Sequence, residues 1–376
     1  MRKAVFLLPV AALFISFCAS PREAVPPPAE RTETLVSGYH PWWMRDAWRE
    51  YQTGLYGEIF FFSIDLDSTG VIAERNGWPD RWFSMQQELT GAGVRVTPVV
   101  TLFSQAGFEG LFAGSGSSEP LHESLISILR DSPAAGGLQL DFEIYQPVAP
   151  ETRTNFTEFV ERLRKSMAEL RPNLSLSVYV TAYDESDVFD EAALARSADY
   201  LVVQGYDLHG RNEGRTGPVA GLEGHGTRNW KFIVDRLRAS GVPMHKIAMS
   251  VPYFGYQWPA ESDEPGSRTR GPGFTISYAD VDSSLLPGSR TSAVEMVERY
   301  GLRRDAVSGS PYYAYQDSTG WHQGWFEDAE SLDEKYRFIQ ERGLRGVAVF
   351  PTAYGDNDLE AVLRRNFGVM RRAVGR

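Results

Sequence analysis

The run GGLQLDFEIY at positions 136–145 carries polar side chains at every second position of an apolar segment. Side chains of a β-strand alternate between its two faces, so Gln139, Asp141 and Glu143 are expected to share one face. At this spacing the charge of Asp141 can raise the pKa of Glu143 and keep it protonated as a general acid. The simpler interpretation is two carboxylates that end a strand and pair with arginine or lysine, so the chemical one depends on the flanking motifs.

Apolar or β-branched segments alternate with amphipathic segments from Leu35 onward, which indicates βα units around a parallel sheet. The predicted strands are Leu35–Tyr39, Glu58–Ile64, Val94–Leu102, Gly137–Glu143, Leu174–Val180, Tyr200–Tyr206, Lys246–Tyr253 and Arg345–Phe350. The predicted helices include Asn155–Leu170, Glu191–Arg196, Asn229–Ser240 and Ser331–Arg342. About eight such units predict an α/β fold, a closed (β/α)8 TIM barrel with its active site at the C-terminal ends of the strands. A doubly wound sheet is the alternative.

The interval from about residue 258 to residue 324 interrupts this alternation because it is rich in Gly, Pro, Ser and Asp. Two short strand-like segments lie in it, Thr275–Tyr278 and Tyr312–Tyr315. We therefore predict a small insertion between the seventh strand and the last helix, on the catalytic face of a barrel domain at residues 34–376.

The first residues have the layout of an export signal, with two basic residues before a short apolar run from Ala4 to Phe17. Cys18, the only cysteine in the chain, ends this run, and the arrangement resembles a bacterial lipoprotein signal, in which the cysteine is acylated. We expect residues 1–18 to be the signal and residues 19–33 a proline-rich linker. The domain is then exported and lipid-anchored to a cell-envelope membrane, with plain secretion as the alternative.

Charge and motif content exclude several function classes. The formal net charge is −11, which argues against a nucleic-acid partner because phosphate neutralisation needs a basic surface. His209 and His225 lack the HxxxH or HxxE spacing of a metal site, and the sequence contains no GxSxG, Walker or GxGxxG motif. We therefore expect no metal and no cofactor.

The carboxylate segment resembles the fourth strand of glycoside hydrolase family 18, whose motif is DGxDxDxE. Gly137, Asp141 and Glu143 stand in register with this motif, whereas Gly136 and Gln139 occupy two of its aspartate positions. In having an amide at Gln139, the segment resembles the peptidoglycan-processing, spore-cortex N-acetylglucosaminidase-like branch of the family, which often has asparagine at this position. An amide can hydrogen-bond Asp141 but cannot share a proton with it.

Other segments extend the resemblance over nearly the whole domain. The segment QGYDLHG resembles the sixth-strand MxYD stretch of the family and gives Tyr206 and Asp207. Tyr39 resembles the first-strand tyrosine, while Trp42 and Trp43 after it are equally consistent with core packing and with a pocket rim.

The end of the domain continues the resemblance. The segment KIAMSVPYFGYQW at 246–258 resembles the seventh-strand pattern KIxLGxPxYGxxW. The segment at 325–350 resembles the closing helix and eighth strand of the same branch, with Phe350 where the family usually has tryptophan.

The resemblance implies substrate-assisted hydrolysis with retention of configuration, a route that needs no protein nucleophile. Glu143 would protonate the glycosidic oxygen while the 2-acetamido carbonyl of the sugar attacks the anomeric carbon. Asp141 would orient the acetamido N–H, and Tyr206 would donate its hydroxyl to the acetamido oxygen. The resemblance also implies substrate contacts from Gln139, Asp207, Tyr39, Gln204, Tyr253, Trp258 and Phe350.

The expected function is a glycosidase acting on a β-linked N-acetylglucosamine polysaccharide, with peptidoglycan ahead of chitin because an anchored enzyme would face the cell wall. A non-catalytic carbohydrate-binding lipoprotein on the same barrel is one alternative, but such family members typically lack the acid that Glu143 supplies. A barrel glycosidase with a conventional pair of carboxylates is another. Membrane contact is expected only through the lipid anchor, and a monomer is expected.

Overall fold

The computed structural model describes Met1 and residues 34–114, 116–183, 187–282 and 291–369. Its internal contacts divide the chain into Met1–Glu33 and Thr34–Arg376. The expected signal, its Cys18 and the linker fall outside the described residues and stay predictions.

The described residues contain fourteen strands and nine α-helices. The strands are β1 Leu35–Pro41, β2 Glu58–Leu66, β3 Ile72–Glu74, β4 Arg95–Leu102, β5 Gly137–Phe142, β6 Ser175–Val180, β7 Tyr200–Val203, β8 Ile247–Pro252, β9 Phe254–Ala260, β10 Phe274–Ser277, β11 Arg303–Arg304, β12 Pro311–Asp317, β13 Gly320–Trp325 and β14 Gly346–Phe350. The helices are α1 Phe83–Gly91, α2 Gln105–Leu111, α3 Glu119–Asp131, α4 Pro150–Leu170, α5 Glu191–Ser197, α6 Trp230–Ala239, α7 Ala293–Tyr300, α8 Ala329–Glu341 and α9 Asn357–Phe367. None of these helices is long and apolar enough to cross a membrane.

Eight of the strands form a closed parallel barrel. Their order is β1, β14, β8, β7, β6, β5, β4 and β2, and β2 pairs with β1 to close the ring. These are the eight predicted strands with their ends shifted by a few residues, so the predicted (β/α)8 TIM barrel is confirmed. The largest shift is in β7, which ends at Val203, before the predicted end at Tyr206.

Helices cover the outside of the barrel through apolar stripes. In α4 the buried Phe156, Phe159, Val160 and Leu163 follow the i, i+3, i+4, i+7 spacing of a helix with one apolar face. Leu138, Leu140 and Phe142 of β5 belong to the same buried cluster. The alternation along β5 therefore turns its apolar side chains outward, and its polar side chains must point into the barrel.

The register of the barrel fixes the depth of each polar side chain. Gln139 lies beside Ser177 of β6, and Asp141 lies beside Tyr179 one layer nearer the C-terminal mouth. The chain continues this pairing at Glu143, whose N–H donates to the carbonyl of Leu102 at 2.9 Å. The carboxylates thus lie at the end of the barrel where TIM-barrel active sites are built.

The predicted insertion contains a second sheet, antiparallel, in the order β10, β9, β13, β12 and β11. It begins at Phe254, four residues before the predicted boundary, because β9 follows β8 after a single residue and pairs Tyr256 with Trp325 of β13. The two strand-like segments predicted within the insertion are confirmed as β10 and β12.

Candidate active site

Asp141 and Glu143 lie at the inner mouth of the barrel. Asp141 is buried, and its Oδ1 has no hydrogen-bond partner among the described residues. Glu143 is half-buried, and its Oε2 accepts a hydrogen bond from the hydroxyl of Tyr145. A buried carboxylate oxygen without a protein partner is an acceptor that a bound ligand can use.

The pKa values of both acids lie above those of free carboxyls, so both hold their protons more tightly. Burial raises the pKa of Asp141, and the negative charge of Glu143 raises it further. Burial also raises the pKa of Glu143, the Tyr145 hydrogen bond opposes that shift, and the charge of Asp207 adds to it. The raised pKa of Glu143 agrees with a general acid that keeps its proton, but its causes are burial and the charge of Asp207. The sequence analysis expected the charge of Asp141 to raise it, whereas the charge of Glu143 raises the pKa of Asp141.

Tyr206 is oriented by a tyrosine that the sequence analysis did not single out. The hydroxyl of Tyr179 on β6 donates to the hydroxyl oxygen of Tyr206 at 3.1 Å, and both side chains are buried. Because Tyr206 accepts this bond, its own proton is available for an acceptor in the pocket. Burial raises the pKa of Tyr206 well above its usual value, so it remains a neutral donor.

Asp207 stands at the rim of the site in the left-handed backbone region, with a φ of 59°. It faces the pocket, and its Oδ1 accepts a hydrogen bond from the hydroxyl of Tyr256 at 2.8 Å. Burial by the surrounding protein raises the pKa of the Asp207 carboxyl, while the hydrogen bond from Tyr256 opposes the shift. The sequence analysis did not single out Tyr256, because it reaches the site from the second sheet.

Gln139 lies one layer below the acids and does not face the pocket. Its Oε1 accepts from the hydroxyl of Tyr39 at 2.7 Å, and its Nε2 donates to Oγ of Ser177 at 3.2 Å. These bonds replace the contact with Asp141 that was expected, since two residues along a strand separate the side chains by about 6.6 Å of rise. Gln139 therefore supports the pocket floor through Tyr39, and direct substrate contact from Gln139 stays a prediction.

Both acids line a pocket of about 510 Å³, which we call the aromatic pocket. It is lined by Tyr39, Trp42, Trp43, Phe62, Asp141, Glu143, Tyr179, Gln204, Tyr206, Asp207, Phe254, Tyr256, Thr275, Phe350 and Tyr354. Phe350 is half-buried at its floor, edge-on to Tyr39 and Phe254 with ring centroids 5.4 and 6.2 Å apart. Aromatic faces beside a few directed polar groups suit a sugar ring, which has apolar faces and a polar edge.

Tyr253 and Trp258, two expected substrate contacts, lie outside this pocket. Tyr253 is buried between β8 and β9. Trp258 is also buried and donates its indole N–H to the carbonyl of Arg211 at 3.1 Å, because the segments carrying Arg211 and Gly273 cover it. Trp258 therefore packs against Tyr256, with ring centroids 5.7 Å apart, and substrate contact from Tyr253 and Trp258 stays a prediction.

A second cavity of about 400 Å³ adjoins the aromatic pocket, and we call it the polar pocket. The two share Gln204, Tyr206 and Asp207, and Tyr145 lines the polar pocket two residues beyond the acid. Glu143 lines the aromatic pocket, and Tyr145, whose hydroxyl bonds Glu143, lines the polar pocket, so the acid lies close to where the two cavities meet.

The described residues contain no cluster of three or more histidine, cysteine, aspartate or glutamate side chains that could hold a metal ion. His209 bonds the carbonyl of Pro218 at 2.9 Å, and His225 bonds Asp305 at 2.9 Å.

Comparison with known proteins finds the family model "Glycosyl hydrolases family 18" over residues 38–355. The chain is 25% identical over 297 residues to a putative sporulation-specific glycosylase of Bacillus subtilis, covering 74% of this chain and 62% of that protein. It is 25% identical to an endochitinase of Brugia malayi, covering 68% and 52%, and 22% identical to a cortical fragment-lytic enzyme of Bacillus anthracis, covering 60% and 48%. The chain thus spans about half to three fifths of the length of these relatives.

A solved structure supports the fold independently. A chitinase from Cycas revoluta in complex with (GlcNAc)4 superposes with a TM-score of 0.72 at 19% identity, over 89% of this chain and 98% of that one. At this identity the similarity concerns the barrel architecture.

Proposed function

The chain belongs to glycoside hydrolase family 18, and we propose that it is a glycosidase that cleaves β-linked N-acetylglucosamine polysaccharide by retaining, substrate-assisted catalysis, with peptidoglycan ahead of chitin. The observation that carries the proposal is the grouping of Asp141, Glu143 and Tyr206 around one pocket. The partnerless Oδ1 of Asp141 is the acceptor that an acetamido N–H needs.

In the proposed reaction the N-acetylated sugar occupies the aromatic pocket. Asp141 accepts the acetamido N–H, which makes the carbonyl oxygen a better nucleophile, and Tyr206 donates to that oxygen and fixes its direction. Glu143 gives its proton to the glycosidic oxygen as the bond to the anomeric carbon breaks. The positive charge of the resulting oxazolinium is stabilised by Asp141, and the deprotonated Glu143 then activates the water that opens the ring.

Peptidoglycan is placed ahead of chitin on two observations. The family relatives include a sporulation-specific glycosylase and a cortical fragment-lytic enzyme, although an endochitinase is similarly related. Gln139 is an amide where the resemblance to the peptidoglycan-processing branch expects one. Acylation of Cys18 would hold the enzyme at a cell-envelope membrane, close to such a substrate.

The test is digestion of purified peptidoglycan strands and of chitin oligomers, with released reducing ends identified by mass. We expect cleavage at N-acetylglucosamine, inhibition by a thiazoline mimic of the oxazolinium, and no cleavage of fully deacetylated polymer. Efficient hydrolysis of the deacetylated polymer would instead require a conventional pair of carboxylates. Binding of both glycans without any turnover would favour a non-catalytic carbohydrate-binding protein.

A further inference from the structure

A third cavity extends the cleft beyond the polar pocket. It has a volume of about 630 Å³, and we call it the arginine pocket. Its charged or titratable lining residues include Glu213, Arg215, His225, Arg228, Glu261 and Arg268. Because Glu213 and Arg228 also line the polar pocket, the cleft leads from the aromatic pocket past the acid to this cavity.

Two arginines of this cavity are held side by side. Arg215 and Arg268 stand opposite each other in an isolated antiparallel bridge, and both are exposed. Like charges directly opposite each other across strands repel, so the arrangement is unfavourable for the empty protein. Their placement gives one wall of the cavity a concentrated positive charge.

None of the other charged groups lining the cavity forms an ion pair with Arg215 or Arg268 in the described part of the chain. Arg228 is ion-paired with Glu213 at 2.9 Å, and His225 is bonded to Asp305. The guanidinium of Arg215 donates to the carbonyl of Gly266 at 2.7 Å, and within the described part of the chain no carboxylate lies within 4 Å of Arg215 or Arg268. Glu261 lines the same cavity beyond that distance. An anionic ligand would relieve the repulsion between the two guanidinium groups.

The position of the cavity decides which part of a substrate reaches it. Asp141 and Tyr206, which hold the reacting acetamido sugar in the proposed function, lie in the aromatic pocket. The leaving sugar must then occupy the polar pocket beside Tyr145. A substituent on that sugar can extend past Arg228, which lines both cavities, into the arginine pocket. Chitin carries no charge on that sugar, whereas muramic acid carries a lactyl-peptide substituent with free carboxylates.

We propose that Arg215 and Arg268 bind a carboxylate of the lactyl-peptide substituent of muramic acid when that sugar is the leaving group. The inference rests on the proposed function and sharpens it. The reacting sugar is N-acetylglucosamine, muramic acid lies on the leaving side, and every new reducing end is N-acetylglucosamine. Specificity for peptidoglycan over chitin comes from this ion pairing.

The test measures binding to Glu143→Gln protein, which holds substrate without turning it over. The probes are a GlcNAc–muramic acid dipeptide with free carboxylates and the same molecule with its carboxylates amidated, compared by calorimetry at low and high salt. We expect the acid to bind up to about tenfold more tightly at low salt, since ion pairs of exposed arginines are individually weak and are screened by salt. The preference should vanish when Arg215→Gln and Arg268→Gln are added.

The matched control replaces two exposed arginines of the outer helices, Arg130→Gln and Arg238→Gln, which changes the net charge equally and should preserve the preference. Equal binding of acid and amide, or a preference that survives loss of Arg215 and Arg268, would overturn the proposal. Failure of the unmodified enzyme to cleave peptidoglycan would instead count against the proposed function, and the acid–amide comparison would still decide the role of the pocket.

Discussion

The hydrogen bond from Tyr145 to Glu143 gives the most specific pH prediction. It stabilises the ionised form of Glu143 and so holds its pKa down, against burial, which raises it. Tyr145→Phe removes only the donor, so the pKa of Glu143 should rise. Because the free enzyme needs Glu143 protonated, the basic limb of the pH profile for kcat/KM should move to higher pH.

The magnitude follows from the strength and exposure of that bond. A hydrogen bond to a charged group contributes about 1.5–3 kcal/mol when well buried. Tyr145 is 58% exposed, so solvent screening reduces the effect to roughly 1 kcal/mol. Since one pKa unit corresponds to about 1.4 kcal/mol, the expected shift is roughly 0.5–1 pH unit.

The assay is the pH dependence of kcat/KM on a chromogenic N-acetylglucosaminide. The control is Tyr183→Phe, because Tyr183 also lines the polar pocket but its hydroxyl donates to the carbonyl of Thr227 at 2.8 Å. The control should leave the basic limb in place. If the basic limb of a folded Tyr145→Phe protein keeps its pH or moves to lower pH, Tyr145 does not hold down the pKa of Glu143 as described.

Three further predictions concern the oriented tyrosine, the pocket floor and a buried ion pair. Tyr206→Phe should lower kcat by about 10²–10³ with little change in unfolding temperature, because it removes one donor to the developing charge. Gln139→Leu should lower the free energy of unfolding by about 1–3 kcal/mol in urea titrations, since Tyr39 loses its buried acceptor. Lys335→Met should cost about 3–5 kcal/mol, because Glu327, buried and bonded to Lys335 at 2.6 Å, is left unpaired; adding Glu327→Gln should recover most of it.

The barrel and the carboxylate strand could be predicted because their signals are local. Period-two alternation in GGLQLDFEIY places Asp141 on the face opposite the apolar side chains, and β5 has that pattern in the structure, with its apolar face packed against the outer helices. The eight strands follow from apolar runs of strand length between amphipathic helices. The motif resemblance then added Tyr206 and Asp207, which line the same pocket as the acids.

The remaining site residues depend on contacts between distant segments. Tyr256 reaches Asp207 only because β9 folds back against β13, and no local pattern reports that pairing. Trp258 follows the motif but is covered by the segment of Arg211, so its role as a substrate contact does not follow from sequence position. Tyr179 could have been found, since Ser177 and Tyr179 alternate inward along β6 next to Gln139 and Asp141.

The most direct test of Glu143 as the general acid is the turnover of Glu143→Gln on glycan strands that the unmodified enzyme cleaves. The substitution keeps the shape of the side chain and removes the proton that the glycosidic oxygen needs. We predict a fall in kcat of about 10²–10⁴ with substrate binding and the circular dichroism spectrum unchanged. Turnover within a few-fold of the unmodified enzyme would contradict the assignment of Glu143 as the acid.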